Sequence, residues 1–183
     1  MDILAIAGSP REHGNSTNLL RRSIEGANER GHRSKLLLSK DLNVQPCLGC
    51  NGCKKGPSCV VEDDMFYVYE ELRQADALVL STPIYFYTMS GWIKPIVDRM
   101  WALLEGENMN YTSRLSPGKK LYVITAQEEP NPADGQSVVA ILERGFKWLG
   151  FELAGSLVAV KVYGPKDHLK QPQLLNAAYN LIQ

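Results

Sequence analysis

The chain has 183 residues, of which 44% are hydrophobic and 22% charged, and its 20 basic and 20 acidic side chains give a formal net charge of zero. This length supports one domain with a substantial core, and no low-complexity linker divides it, so we expect a single domain over residues 1–183. The balanced charges give no reason to expect nucleic acid or an anionic membrane as a partner. No apolar run is long enough to cross a bilayer and nothing at the amino terminus looks like a signal peptide, so we expect a soluble, cytoplasmic protein.

The amino-terminal stretch predicts a strand, a polar loop and a helix, in that order. Residues Ile3 to Ala7 form a continuous apolar run, which is typical of a central parallel strand. The loop GSPREHGNST, Gly8 to Thr17, follows, and apolar residues at helical spacing then continue to Gly31. A loop at the start of a helix offers unpaired N–H groups and a favourable dipole, so we predict a phosphate site here. Its candidate side chains are Ser9, Arg11, Ser16, Thr17 and Asn18.

The alternative interpretation of this loop is that Asn15 or Ser16 caps the helix, and capping is compatible with phosphate binding. The loop lacks the Gly-Lys-Ser/Thr ending of a nucleoside-triphosphate loop and the Gly-x-Gly-x-x-Gly pattern of a dinucleotide site. A monophosphate such as that of FMN fits better.

All four cysteines lie in residues 46–64, PCLGCNGCKKGPSCVVEDD, which we call the cysteine loop. The spacing Cys-x2-Cys-x2-Cys-x5-Cys presents three thiolates from one short stretch, and interspersed glycines permit tight bends, so a cubane iron–sulfur cluster is the favoured ligand. Structural zinc usually takes two well-separated cysteine pairs, and disulfides need an oxidising compartment. A set of four free thiols that holds no cluster is a further alternative, which the sequence leaves open. The candidate ligands are Cys47, Cys50, Cys53 and Cys59.

A second informative stretch, STPIYFYTMSGWIKPIVDRMW, follows the apolar run from Ala77 to Leu80. Aromatic residues beyond the carboxyl end of a buried strand lie where open α/β sheets bind ligands. We therefore predict that Thr82 to Tyr87 form a loop that binds the isoalloxazine ring, the alternative being ordinary packing. The candidate residues are Pro83, Ile84, Tyr85, Phe86 and Tyr87.

The other segments continue an alternation of strands and helices. This alternation predicts a flavodoxin-like α/β fold, with a doubly wound five-stranded parallel sheet and helices on both faces. Apolar residues from Ile93 to Leu104 make a stripe wider than one sheet face needs, which suggests a dimer. Residues 105–118 are polar and irregular, and their role is unreadable. The further predicted elements are strands at Ser34–Ser39, Leu121–Thr125 and Glu152–Val162, a helix after Asp63 or Asp64, a helix from Val138 to Leu149, and a last helix from Pro172.

The three histidines, His13, His32 and His168, are scattered and have no evident carboxylate partner in the sequence. We interpret each as a surface residue and assign no catalytic acid or base.

In order and spacing, the phosphate-type loop, the cysteine loop and the aromatic stretch resemble the flavodoxin-like NAD(P)H-dependent FMN reductases. The complete cysteine set is similar, more narrowly, to the iron-sulfur flavoproteins of anaerobic archaea and bacteria. The resemblance implies noncovalent FMN, its phosphate on the first loop and its ring on Pro83 to Tyr87, and a [4Fe-4S] cluster on the four cysteines. It also implies a homodimer or homotetramer. One departure is the bulky segment from Thr125 to Gly135, where relatives usually carry an early glycine, which calls the flavin-edge contacts from this segment into question.

Three functions follow as hypotheses. The leading one is an electron-transfer flavoprotein in which a cluster exchanges electrons with FMN, with a redox protein such as ferredoxin as a candidate donor and NAD(P)H as a compatible reductant. The second is an NAD(P)H-dependent FMN or quinone reductase without a cluster. The third is a zinc-stabilised binding module without redox turnover.

Overall fold

The computed structural model describes residues 1–183 as a sheet flanked by helices on both faces. Its strands are β1 (Asp2–Ala7), β2 (Arg33–Leu38), β3 (Ala77–Tyr85), β4 (Thr88–Met89), β5 (Leu104–Glu107), β6 (Asn110–Ser113), β7 (Lys119–Ala126) and β8 (Phe151–Ala159). Its helices are α1 (Asn15–Glu29), α2 (Gly52–Lys55), α3 (Met65–Gln74), α4 (Lys94–Arg99), α5 (Ala133–Lys147) and α6 (Pro172–Tyr179). Short 3₁₀ turns occupy Ser39–Asp41, Met100–Leu103 and Asp167–Lys170.

The main sheet has the strand order β2-β1-β3-β7-β8, and every neighbouring pair in it is parallel. This is the flavodoxin-like order, so the predicted fold is confirmed. The two-residue strand β4 extends the sheet by pairing antiparallel with the end of β3. Because all five parallel strands point the same way, their carboxyl ends meet at one edge of the sheet.

The strands are apolar because both faces of the sheet are covered. Along β1, Leu4 and Ile6 belong to the core cluster shared with α3, α4 and α5, whereas Ile3, Ala5 and Ala7 belong to the cluster shared with α1 and α6. This alternation is the period of two expected of a strand. None of the helices combines the length and the apolar character that crossing a bilayer requires.

Several element boundaries differ from the sequence prediction. Strand β3 continues to Tyr85 instead of ending at Leu80, so the predicted loop from Thr82 to Tyr87 is the end of a strand followed by a two-residue turn. Helix α5 begins at Ala133, before the predicted Val138, and β8 ends at Ala159. In β3 and β7, the residues beyond the predicted ends pair in register with the neighbouring strands. Local apolar runs do not reveal this pairing.

Residues 105–118, predicted as irregular, contain most of an antiparallel hairpin formed by β5 and β6. Its turn residues Asn108 and Met109 have φ values of 52° and 66°, so both adopt the left-handed conformation. Two-residue hairpin turns favour this geometry and usually contain Asn-Gly or Asp-Gly. The prediction was wrong here because Asn-Met lacks the glycine signal.

The apolar stripe from Ile93 to Leu104 is interrupted, because α4 ends at Arg99 and a 3₁₀ turn follows. Ile93, Ile96 and Met100 are buried in the chain's own core. Val97 and Trp101 of the same stripe are only partly buried, so the dimer expected from this stripe stays a prediction.

Candidate functional site

A cavity of about 200 Å³ opens at the carboxyl edge of the sheet. Its walls come from the loops and strand ends that follow β1, β3, β7 and β8, which are neighbours in the sheet order. Such an edge is the usual ligand site of an open parallel sheet. The lining residues are Ser9, Arg11, Gly14, Asn15, Ser16, Pro83, Ile84, Tyr85, Ala126, Gln127, Glu128, Val162 and Tyr163.

The loop between β1 and α1 leaves the start of the helix open. Gly14 precedes the first helical residue, and no side chain caps the helix. The first N–H groups of a helix have no partner within it, so those of α1 are free to bind an anion. The Asn15 side chain donates instead to the Gly164 carbonyl oxygen at 2.9 Å, which argues against the capping alternative for this residue.

Of the five side chains predicted to bind phosphate, Ser9, Arg11 and Ser16 line the cavity. Thr17 and Asn18 do not line the cavity, because their side chains form hydrogen bonds with backbone carbonyl groups of the loop itself. The Thr17 hydroxyl donates to the Arg11 carbonyl oxygen at 3.2 Å, and the Asn18 amide donates to the His13 carbonyl oxygen at 3.0 Å.

Of the aromatic stretch, Pro83, Ile84 and Tyr85 line the cavity. Phe86 and Tyr87 form the turn between β3 and β4, are 95% and 70% exposed, and do not line it. Both adopt positive φ, at 49° and 67°, a conformation that costs a bulky residue about 1–2 kcal/mol. Backbone strain of this size persists mainly at functional positions, so this turn beside the cavity is a candidate ligand contact.

The loop after β7 adds residues that sequence reasoning did not assign. Gln127 is buried, its side-chain oxygen Oε1 accepts the Gly135 N–H at 2.8 Å, and its side-chain Nε2 donates to the Asn131 carbonyl oxygen at 2.7 Å. These hydrogen bonds of Gln127 hold the segment from Thr125 to Gly135 in place. Both Gln127 and Glu128 line the cavity. Tyr163, which follows β8, also lines the cavity. No periodic pattern marks these residues.

His168 is 3% exposed, so its interpretation as a surface residue was wrong. Its backbone N–H donates to the Asn15 side-chain oxygen at 3.2 Å, and its Nδ1 lies 2.8 Å from the same oxygen. Burial lowers the pKa of His168, against the charge of Asp167. The residue thus fixes the start of α1 from the opposite end of the sequence, a contact that sequence spacing does not reveal.

The cysteine loop is closed at its base by a buried ion pair between Arg99 and Asp63, whose side chains are 0% and 1% exposed. Arg99 also donates to the Gln45 and Val61 carbonyl oxygens at 3.2 and 3.0 Å, and Asp63 accepts the N–H groups of Gln45 and Met65 at 2.8 and 3.0 Å. Burial alone would raise the pKa of Asp63, but these hydrogen bonds and the Arg99 charge hold it below its ordinary value. The chain therefore enters and leaves the loop at one point.

Two further cations hold the one-turn helix α2 inside the loop. Arg114, which follows β6, donates to the carbonyl oxygens of Cys53, Gly56 and Pro57. Lys54 donates to the carbonyl oxygens of Trp101 and Leu104 and lies 4.0 Å from the centre of the Trp101 ring. Both contacts join the loop to the segment between α4 and β7.

The four cysteines are free thiols in differing environments. Cys53 is buried, Cys59 is half-buried, and Cys47 and Cys50 are exposed. Burial raises the pKa of the Cys53 thiol, whereas the Lys54 charge lowers it. No three histidine, cysteine, aspartate or glutamate side chains come close enough together to hold a metal ion.

The donor set nevertheless fits a cluster in its chemistry. Four thiols in one short loop supply the soft ligands that iron–sulfur clusters use. The Nε atoms of Arg99 and Arg114, two residues that hydrogen-bond to the loop, are buried without a hydrogen-bond partner, so two donors there have no acceptor. No cysteine-loop residue lines the cavity at the sheet edge, so the two candidate sites are separate.

The strand order and the cavity at the carboxyl edge define a flavodoxin-like protein. A sequence model of the NADPH-dependent FMN reductases matches residues 1–165, and the chain belongs to that family. An iron-sulfur flavoprotein of Methanocaldococcus jannaschii is 34% identical over 99 residues, which are 54% of this chain and 51% of that protein. One from Archaeoglobus fulgidus is 38% identical over 99 residues, 54% of this chain and 48% of that protein.

The chain thus spans about half the length of these curated relatives. Among solved structures, the NAD(P)H:quinone oxidoreductase from Methanothermobacter marburgensis superposes with a TM-score of 0.70 over 98% of each chain, at 16% sequence identity. This likeness concerns the fold.

Proposed function

We propose that this protein is an FMN-dependent oxidoreductase that binds FMN in the cavity at the sheet edge. The open start of α1 takes the phosphate, with Ser9, Ser16 and the exposed cation Arg11 as side-chain partners. The isoalloxazine ring lies against the segment from Pro83 to Tyr87, and Tyr163 forms a further part of the cavity wall. The observation that carries the proposal is the convergence of this uncapped helix start and the strained aromatic turn at one edge, in a chain of the FMN reductase family.

We further propose a [4Fe-4S] cluster on Cys47, Cys50, Cys53 and Cys59. Support comes from the soft donor set, the unpartnered arginine Nε atoms beside it, and relatives named as iron-sulfur flavoproteins. When bound, FMN supplies one- and two-electron chemistry and the cluster supplies single electrons. The chain itself orients both groups and needs no acid or base for that purpose.

The proposed assembly is a homodimer or homotetramer, in which cluster and flavin come close enough to exchange electrons. A groove of about 500 Å³ supports it, because it is lined mainly by apolar residues, among them Trp101, Ile141 and Trp148. Trp148 and Ile141 are 46% and 55% exposed in the single chain. We propose a redox protein such as ferredoxin as electron donor and NAD(P)H as an alternative reductant.

A second candidate function is an NAD(P)H-dependent FMN or quinone reductase that holds no cluster. The observation that favours it is the absence of three metal-binding side chains within reach of one ion.

Absorbance and iron content of protein purified without air distinguish the two candidates. A broad iron–sulfur shoulder beside the flavin bands, with iron and sulfide in the protein, is the expected result. Pure flavin bands that NADPH bleaches rapidly would favour the second candidate, and a colourless protein would refute both. Cys50→Ala should remove iron and leave FMN bound, whereas the control Ser58→Ala in the same loop should change neither.

The phosphate site has its own test. Arg11→Ala combined with Ser16→Ala should weaken FMN binding at least about tenfold, because a hydrogen bond to a charged group contributes about 1.5–3 kcal/mol. Arg22→Ala removes one charge from the same helix away from the cavity and serves as the control. Unchanged FMN affinity in the double variant, measured by flavin fluorescence, would reject the phosphate role.

A further inference from the structure

Lys54 within the cysteine loop and Arg114 beside it have no close buried carboxylate partner. We propose that these two side chains are positioning residues for Cys53, and that their charges raise the reduction potential of the cluster on the loop. The inference rests on the cluster assignment of the proposed function.

The first step concerns position. Cys53 lies on α2, a single helical turn whose carbonyl groups have few partners of their own. The Arg114 Nη2 atom donates to the Cys53 and Gly56 carbonyl oxygens at 3.3 and 3.1 Å, and Nη1 donates to the Pro57 carbonyl oxygen. One guanidinium therefore fixes the backbone at and after the cysteine. A planar group with several donors suits this task better than an amine does.

Lys54 joins the same turn to the segment between α4 and β6. Its Nζ donates to the Trp101 carbonyl oxygen at 2.7 Å and to the Leu104 carbonyl oxygen. It also lies 4.0 Å from the centre of the Trp101 ring and 5.5 Å from that of Tyr111. Because adjacent residues on α2 carry the thiol and this cation, Cys53 cannot shift without breaking these contacts.

The second step concerns charge. The Arg114 side chain is 15% exposed, and the nearest carboxylate, that of Glu105, is 3.8 Å from its Nε and 59% exposed. No carboxylate forms an ion pair with Lys54; its partners are carbonyl groups and aromatic rings. Arg99 differs, because buried Asp63 neutralises it. The loop thus faces two cations whose charges are poorly compensated.

The third step links this charge to the potential. Reduction adds one electron to the cluster, breaks no bond and makes its charge more negative. Fixed positive charge in a poorly solvated place favours the reduced state, and cluster potentials respond to charge and solvent exposure. Removal of either cation should therefore lower the potential. At a fixed solution potential, we expect the ratio of reduced to oxidised cluster to fall by about tenfold. For a one-electron couple this corresponds to a midpoint potential lower by about 59 mV.

The test is a dithionite titration, monitored by electron paramagnetic resonance, of protein purified without air. It compares the wild type with Arg114→Gln, Arg114→Lys and Lys54→Gln. The control is Arg73→Gln, which removes an exposed charge paired with Glu70 on α3. Iron and sulfide per chain are measured for every sample. We expect lower midpoint potentials in Arg114→Gln and Lys54→Gln, an unchanged one in Arg73→Gln, and recovery toward the wild type in Arg114→Lys.

Equal potentials in Arg114→Gln, Lys54→Gln and the control, at full iron content, would overturn the inference and leave the cluster assignment intact. Loss of iron confined to Arg114→Gln would support the positioning role, and Lys54→Gln would then decide the effect on potential. Wild-type protein without iron would instead refute the cluster, and this inference with it.

Discussion

Replacement of Arg99 by methionine should destabilise the protein far more than the loss of an ordinary surface charge. The substitution leaves the Asp63 carboxylate buried without its cation, and it removes the donors to the Gln45 and Val61 carbonyl oxygens. Breaking a buried pair by removing one partner costs about 3–5 kcal/mol. Asp63 retains the N–H groups of Gln45 and Met65, so we expect a value near the lower end, about 3 kcal/mol.

Urea unfolding measures this difference. With a slope of about 1–3 kcal/mol per M, the midpoint should fall by about 1–3 M. The matched control is Lys94→Met on the same helix, which breaks an exposed pair with Asp98. Such i,i+4 pairs contribute about 0.3–0.5 kcal/mol, so its midpoint should hardly move. Limited proteolysis should also cut Arg99→Met first within the cysteine loop. A midpoint of Arg99→Met close to that of Lys94→Met would refute the reasoning.

The same pair predicts a pH dependence. The pKa of Asp63 in the folded chain lies below its ordinary value of 3.8, so the unfolded chain takes up the proton first as the pH falls. The stability contributed by the ionised carboxylate is therefore fully present above the ordinary value and is lost as the pH falls through the folded pKa. The difference between wild type and Arg99→Met should be largest near neutral pH and shrink as the pH falls, because the buried carboxylate of the variant is protonated more readily and the wild-type contribution is lost below 3.8. A difference that shrinks toward neutral pH would contradict this assignment.

Two further substitutions test the packing around the cavity. Gly135→Ala should cost about 1–3 kcal/mol, because a Cβ there would lie 2.5 Å from the Thr125 hydroxyl oxygen, whereas Gly145→Ala on the same helix meets nothing within 4 Å and should stabilise by about 0.5–1 kcal/mol. Similar melting temperatures for these two variants would count against the packing argument. Replacement of Phe86-Tyr87 by Asn-Gly should raise the unfolding free energy by about 1 kcal/mol, because it relieves two strained residues, and should weaken FMN binding. A less stable turn variant, or one with unchanged FMN affinity, would argue against strain retained for a ligand.

Local pattern alone determined the fold class. Continuous apolar runs such as Ile3 to Ala7 are typical of strands covered on both faces, and helical segments between such runs favour parallel strands joined by crossovers. The same pattern located the loop before α1 and the four cysteines, because a glycine-rich turn and a cysteine spacing are properties of neighbouring residues. It missed the hairpin of β5 and β6, whose turn at Asn108 and Met109 carries no glycine.

The tertiary structure alone decided which side chains meet. His168 contacts Asn15, and Arg99 contacts Asp63, across 153 and 36 positions of sequence. The sequence around one residue of each pair does not identify its partner. The partner depends on how the crossovers and loops bring distant segments of the chain together. Burial then makes these contacts strong, since a polar group removed from water must find its partner within the protein.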